Sequence, residues 1–385
     1  MRSISPLLLN PKVKESPGKA LVLPRLERSY SPFATARSPN NRISRSEKLL
    51  LPDIRNSKCS SSRNSKSSNM NQIKTLAVRC GVVYGYAVHS HMGLKRYKKE
   101  DRVSIVMSIP KPIKFDEGNW PRSSYFGLFN GHSGTGCANF LKGNLHNNIF
   151  IEKEFPSHVK QAIFQGFIKT DRMFLAQAEE KGDMSGSCAL IVIIIANKCI
   201  IASCGDSRAV VSYQKGSKVK SLIHPHVADN LQEQERIKKA GGCVSSEYFL
   251  NENQEAVDIG HCKINPGKLH VSRAFGNLDA KISKYGGNPF VVIPDPDITN
   301  FTITPLFDFL LLATNSLFEI FGYREVMNII WTSLDSGKSE DLSTQLSIAI
   351  DDLMAEVDKK SVKKNITCLL IPFKNIKDTS NNENI

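Results

Sequence analysis

The run CALIVIIIA-NK-CIIASC, residues 188–204, constrains this chain more than any other stretch. Asn197-Lys198 interrupts it well short of the roughly 18–20 uninterrupted apolar residues that a membrane span requires. Two short Ile/Val-rich halves split by a turn pair read instead as two buried strands of a hairpin. A hydrophobic content of 41% is ample for the core such strands need. Around the hairpin, VRCGVVYGYAVHS (78–90) alternates as a strand does. CANFLKGNLHNNIF (137–150) and HVKQAIFQGFIKTDRMFLAQAEE (158–180) repeat apolar residues at helical spacing, as in Val159, Ile163, Phe167 and Phe174. GDSRAVVSY (205–213) reads as a further strand, and NLQEQERIKKAGG (230–242) as a helix closed by a Gly-Gly stop. A strand over 308–313, helices near 316–332 and 338–357, and a last strand over 365–373 complete the pattern. Strands in pairs with helices between them predict an α+β layered domain rather than alternating βαβ units.

The net charge of +14 suggests a nucleic-acid binder until it is located. Residues 1–70 carry 14 Lys/Arg against 4 Asp/Glu, so +10 of it lies there and the rest of the chain is only mildly basic. Residues 1–72 are rich in Ser, Arg, Asn and Pro without a sustained period, which predicts a disordered tail because little apolar surface offsets the ordering entropy. Its Ser-Pro pairs at Ser5, Ser16, Ser31 and Ser38 fit proline-directed phosphorylation, with chance occurrence as the alternative. The Arg/Ser-rich, acid-poor composition also fits an organelle-import peptide, against which Pro6 and Pro11 count. Only Tyr30 and Phe33 precede residue 72 as aromatics, so base stacking has little to work with. Residues 375–385 read as a polar C-terminal tail. Nine cysteines form no CxxC pair, and Cys188, Cys199 and Cys204 sit inside apolar strands, as reduced thiols of a cytoplasmic or nuclear protein would.

Nine short segments then follow in a recognisable order: RYKKED (96–101), FGLFNGHSG (126–134), SGSCA (185–189), GDSRAVV (205–211), ERIKKAGGCV (235–244), KLHVSRAFGN (268–277), PDPDIT (294–299), LLLATNSLFEI (310–320) and KNIT (364–367). Over about 78–374 the chain resembles the type-2C, metal-dependent protein serine/threonine phosphatases. One five-residue match is weak; nine in family order are specific. The resemblance implies an α+β four-layer sandwich, two antiparallel β-sheets flanked by antiparallel α-helices. It also implies two Mg²⁺ or Mn²⁺ ions whose bridging hydroxide attacks phosphorus.

By that resemblance Glu100 matches a metal ligand, Asp101 an acidic position just outside it, and Gly131 a backbone-carbonyl ligand. Arg96 matches the phosphate clamp, where a planar guanidinium fits phosphate oxygens bidentately, and His132 the general acid. Asp206 and Glu319 match carboxylates of a weaker third metal site. Read from the residues alone, Arg96 is also one member of a basic cluster, His132 a hydrogen-bonded turn histidine, and Asp206 a turn residue. Three family aspartates are replaced, by Asn130, Asn315 and Lys364; Ser316, Asn277 and Pro225 also depart from the pattern. Hard divalent cations need carboxylate oxygens, and these exchanges make the site four charge units more positive. One unit-charge pair at about 4 Å is worth roughly 4 kcal/mol at an effective dielectric near 20. Binuclear metal binding at normal affinity is therefore not expected, and the Lys364 ammonium is expected to fill the vacated volume and pair with Glu100, Asp101 or Asp206.

The expected function is that of a catalytically inactive relative, a monomeric scaffold that binds proteins, including phosphorylated Ser/Thr segments. The alternative is a low-activity Mn²⁺- or Mg²⁺-dependent protein phosphatase using Glu100, Asp206 and Glu319. A third reading is a nucleic-acid or acidic-surface binder driven by the basic tail.

Overall fold

The computed structural model describes residues 74–76, 80–93, 99–113, 115, 118–250, 256–337, 341–362 and 364–373. Both expected tails, 1–72 and 375–385, lie outside the described residues. In chain order, β1 (Lys74–Leu76), β2 (Tyr86–His91), β3 (Arg102–Val106) and β4 (Ser123–His132) lead into α1 (Gly136–Phe150) and α2 (Val159–Lys181). Then come β5 (Gly186–Ile195), β6 (Lys198–Cys204), β7 (Arg208–Tyr213), β8 (Lys218–Ser221) and α3 (Leu231–Lys239). The hairpin β9 (Cys243–Leu250) and β10 (Ala256–Asn265) follows, with β11 (Phe275–Gly276), α4 (Leu278–Lys281), β12 (Asp297–Thr302) and β13 (Phe307–Ala313). The chain closes with α5 (Asn315–Phe318), α6 (Tyr323–Asp335), α7 (Leu342–Asp358) and β14 (Ile366–Pro372).

One sheet runs β1-β2-β14-β13-β7-β8, the other β12-β6-β5-β4-β3 with β11 added to β5, and every pairing within them is antiparallel. The alternation of side chains along each strand divides the interior into three layers. On β5, Leu190, Val192 and Ile194 face the other sheet, while Ala189, Ile191 and Ile193 face α1 and α2. On β13, Leu310 and Leu312 face the sheet interface, and Phe309, Leu311 and Ala313 face α6 and α7. The architecture is the expected α+β sandwich of helices, sheet, sheet and helices. The apolar run at 188–204 is its inner hairpin, β5 and β6.

Local chemistry sets the element ends. Asn230 caps α3 by accepting from the Gln232 and Glu233 amides, and Asp341 caps α7 through the Thr344 amide. Gly182, left-handed at φ +66°, ends α2. The single helix expected over 316–332 is two, α5 and α6, because the chain turns out of the helix after Phe318 and Gly322 starts the next one in extended backbone.

A smaller core of Ile237, Ile264, Val271, Ala274 and Val291 lies under α3 and the β9–β10 hairpin. Glu233 ties that lobe to the sandwich. Its carboxylate accepts from Arg236 and Arg273, and Arg273 also reaches Asp297 Oδ1 at 2.8 Å, at the start of β12. Burial pushes the Glu233 carboxyl up, but hydrogen bonds from Arg273, Ser272 and Arg236 outweigh it and hold the group at about 2. A second buried pair joins α2 to α4. Lys281 Nζ lies 2.7 Å from Asp171 Oδ2 and 2.7 Å from the Ala274 carbonyl oxygen, while Asp171 Oδ1 accepts the Gly276 amide at 2.8 Å.

Removing one member of the second pair leaves a buried charge without a partner. Asp171→Ala is expected to lower unfolding stability by about 3–5 kcal/mol, and Asp171→Leu combined with Lys281→Met by distinctly less, read from urea midpoints. Glu233 predicts a pH effect. A carboxyl held below its usual value of 4.5 contributes stability above that pH and loses it as pH falls toward about 2. Relative to Glu233→Gln, the native chain should lose about 3 kcal/mol of stability between pH 5 and pH 2 in denaturant titrations.

Candidate functional site

Antiparallel pairing brings the polar ends of several strands to one rim. The end of β4, the start of β5 and the start of β3 converge there, with Asn130 opposite Cys188 and Arg102 opposite Phe129. The end of β13 meets the starts of β7 and β14, Ala313 lying between Arg208 and Cys368. The rim opens into a cleft of about 630 Å³ lined by Asn130, His132, Asp206, Arg208, Asn315, Glu319 and Lys364, with Lys268 and His270 contributed by the lobe.

A charged and amide chain crosses this cleft. Arg208 donates from Nε and Nη2 to Asn315 Oδ1, at 3.3 and 3.1 Å, and from Nη1 to the Tyr323 hydroxyl at 3.1 Å. Asn315 Nδ2 donates to Glu319 Oε1 at 3.1 Å, one helical turn further on. Lys364 Nζ then grips both Glu319 carboxylate oxygens, at 2.8 and 2.7 Å.

Lys364 therefore pairs with Glu319, and the expected pairing with Glu100, Asp101 or Asp206 is corrected. Each of those groups is directed elsewhere. Glu100 Oε1 accepts the Gly134 amide at 2.8 Å. Asp101 points inward, taking the Thr367 hydroxyl at 2.7 Å, while its Oδ1 is buried with no partner among the described residues. Burial pushes the Asp101 carboxyl up to about 6. Asp206 Oδ1 accepts from the Cys188 thiol at 3.5 Å, and burial raises both groups. Glu319, matched in the sequence to a weaker metal site, is the partner because Asn315 and Glu319 share one face of the turn that β14 brings Lys364 against.

Gly131 sits beneath Glu100, where a β-carbon would lie 2.6 Å from the Glu100 carbonyl oxygen. His132, the last residue of β4, places Nε2 3.0 Å from Asn277 Oδ1. Burial lowers the imidazole's proton affinity, against the pull of Asn277, Asp206 and Glu100. Arg96 lies outside the described residues. Among the other site residues read from the sequence, Asn130, His132, Asp206, Asn315, Glu319 and Lys364 line one cleft. Two further participants, Arg208 and Cys188, lay in the GDSRAVV and SGSCA segments without a role assigned to them. The signal for Arg208 was its place two residues after Asp206 in GDSRAVV, and both residues line the cleft.

Residues 96–366 match the protein phosphatase 2C family, and the chain belongs to that family. It is 30% identical over 257 residues to the Arabidopsis thaliana protein named probable protein phosphatase 2C 71, covering 67% of this chain and 50% of that protein. It is also 30% identical over 297 residues to probable protein phosphatase 2C 69 of the same plant, covering 77% of this chain and 72% of the relative. The chain thus spans about half the length of the first relative and most of the second. Among solved structures, a serine-threonine phosphatase 2C from Toxoplasma gondii superposes with a TM-score of 0.61 at 19% identity, covering 80% of this chain and all of that one. A C. elegans sex determining protein does so with a TM-score of 0.61 at 17% identity, covering 77% of this chain and 66% of that one. At those identities the structures establish the shared fold.

Gly186 of β5 predicts how tightly the rim is packed. A β-carbon there would overlap both the Asn277 amide oxygen and His132 Nε2. Gly186→Ala should lower stability by about 1–3 kcal/mol in denaturant unfolding and shift the ring resonances of His132.

Proposed function

We propose that this protein phosphatase 2C family member binds through its cleft, as a scaffold for proteins that carry phosphorylated Ser/Thr segments, without the family's two-metal hydrolysis. The observation that carries the reading is the chain Arg208–Asn315–Glu319–Lys364. One cationic side chain, Lys364, and two neutral amides, Asn130 and Asn315, stand where the resemblance calls for carboxylates. The Glu319 carboxylate is already neutralised by an ammonium. Among the described residues no group of three or more His, Cys, Asp or Glu is placed to hold one ion. A divalent cation brought within about 4 Å of Arg208 or Lys364 meets a repulsion on the order of 8 kcal/mol at an effective dielectric near 20. The residues present do not fit two Mg²⁺ or Mn²⁺ ions.

A second reading, a slow Mn²⁺-dependent phosphatase, is favoured by the buried Asp101 Oδ1, which has no partner among the described residues, by Asp206 in the cleft lining, and by Glu100, whose carboxylate accepts the Gly134 amide. The basic-tail reading rests on residues outside the described ones. Among the described residues no helix is long and apolar enough to cross a membrane.

Calorimetric titration of Mn²⁺ into the purified chain, beside phosphopeptide binding and turnover assays, separates the readings. Phosphopeptide binding without turnover is expected, with no two-site micromolar Mn²⁺ isotherm. The triple change Asn130→Asp, Asn315→Asp and Lys364→Asp should tighten Mn²⁺ binding by at least a hundredfold. Two micromolar Mn²⁺ sites in the native chain, with Mn²⁺-dependent turnover, would establish the enzyme reading instead.

A further inference from the structure

His132 ends β4, Asn277 follows β11, and only β5 separates these two strands. In register, His132 stands opposite Gly186, and Gly186 stands opposite Gly276. The bare α-carbon of Gly186 leaves the space in which the imidazole and the amide meet. Asn277 is 2% exposed and holds a left-handed backbone, φ 63° and ψ 76°, a conformation that asparagine tolerates better than most residues. Its amide N–H donates to the Ser185 carbonyl at 3.1 Å. The preceding Gly276 N–H is held by Asp171, whose other oxygen takes Lys281. Backbone anchored in the interior thus decides where the Asn277 side-chain amide lies, with its oxygen toward His132.

An amide oxygen accepts hydrogen bonds and never donates them. The 3.0 Å contact from His132 Nε2 therefore requires a proton on Nε2, and a neutral ring then carries its lone pair on Nδ1. Among the described residues no protein group is bonded to Nδ1, and the ring lines the cleft.

We propose that Asn277 is a positioning residue that fixes His132 as the Nε2–H tautomer, so that the ring presents Nδ1 to the cleft as a hydrogen-bond acceptor. The group that fits against it carries an N–H or O–H, as a peptide amide or an unmodified hydroxyl does. A fully ionised phosphate oxygen, which only accepts, does not fit at that nitrogen. A neutral ring in this tautomer has no proton to give on the cleft side. The proposal concerns which nitrogen bears the proton, and it stands apart from whether the cleft holds metal or turns over phosphate.

Two-bond ¹H–¹⁵N correlation spectra of the histidine-labelled full chain at neutral pH test it. His132 is assigned by the signals lost in His132→Gln. A pyrrole-type Nε2 with a pyridine-type Nδ1 is expected; a pyrrole-type Nδ1, or two protonated nitrogens, would overturn the proposal. Asn277→Gly keeps the left-handed backbone and deletes the amide. Its His132 signals should average between tautomers while the other histidine signals stay in place, and an unchanged His132 pattern would overturn the positioning role. Should that variant fail to fold, the native spectrum alone still decides the tautomer.

Discussion

Burial of the central strands on both faces is the constraint from which the rest of this structure follows. Each fully buried aliphatic or aromatic side chain contributes roughly 1.5–3 kcal/mol, and β4, β5, β13 and β14 present such residues alternately to the sheet interface and to a helical layer. Unpaired polar groups are costly there, so polar side chains collect where strands end. Antiparallel pairing sends six of those ends to the same rim. The cleft is thus a consequence of how the interior is satisfied, and its residues can change without disturbing the layers beneath it.

That separation also shows in the ion pair at the rim. Lys364 and Glu319 are 63% and 42% exposed at their side chains, and ion pairs that open to solvent contribute about 0–1 kcal/mol. The pair is too weak to be a structural necessity. Its consequence is local: the ammonium neutralises the Glu319 carboxylate, and Arg208 commits the Asn315 oxygen from the other side. The strong electrostatic anchors lie elsewhere, in the Asp171–Lys281 pair beneath β11 and in Glu233 between its two arginines.

The layers were legible in the sequence because they depend on period and hydrophobicity. The 188–204 hairpin, the helices near 137–150 and 158–180, and the closing strand appear within a few residues of their expected bounds. The break between α5 and α6 was less legible, since apolar residues continue across Phe321-Gly322 and hide the change of direction. Site membership was readable from motif order, but the partner of Lys364 was not. The i,i+4 spacing puts Asn315 and Glu319 on one face, but that Lys364 is brought against them while Asp101 turns inward to Thr367 is not encoded in local spacing. The parts played by Arg208 and Cys188 were not assigned from their segments, because they depend on which strand end lies opposite.

The contact between His132 and Asn277 shows how the two levels connect. Its position follows from interior features: the missing β-carbon of Gly186, the left-handed turn after Gly276, and a carboxylate that binds that turn's amide while neutralised by a buried lysine. Its chemistry follows from one atom, an amide oxygen that can only accept. An aspartate at the same place would occupy nearly the same volume and add a negative charge beside the ring, favouring imidazolium. An amide in place of an acid changes which protons a cleft can hold while keeping nearly the same side-chain shape. By the family resemblance Asn130 and Asn315 stand at aspartate positions, where the same argument applies. On the proposed binding reading, such amides offer hydrogen bonds where carboxylates would offer charge.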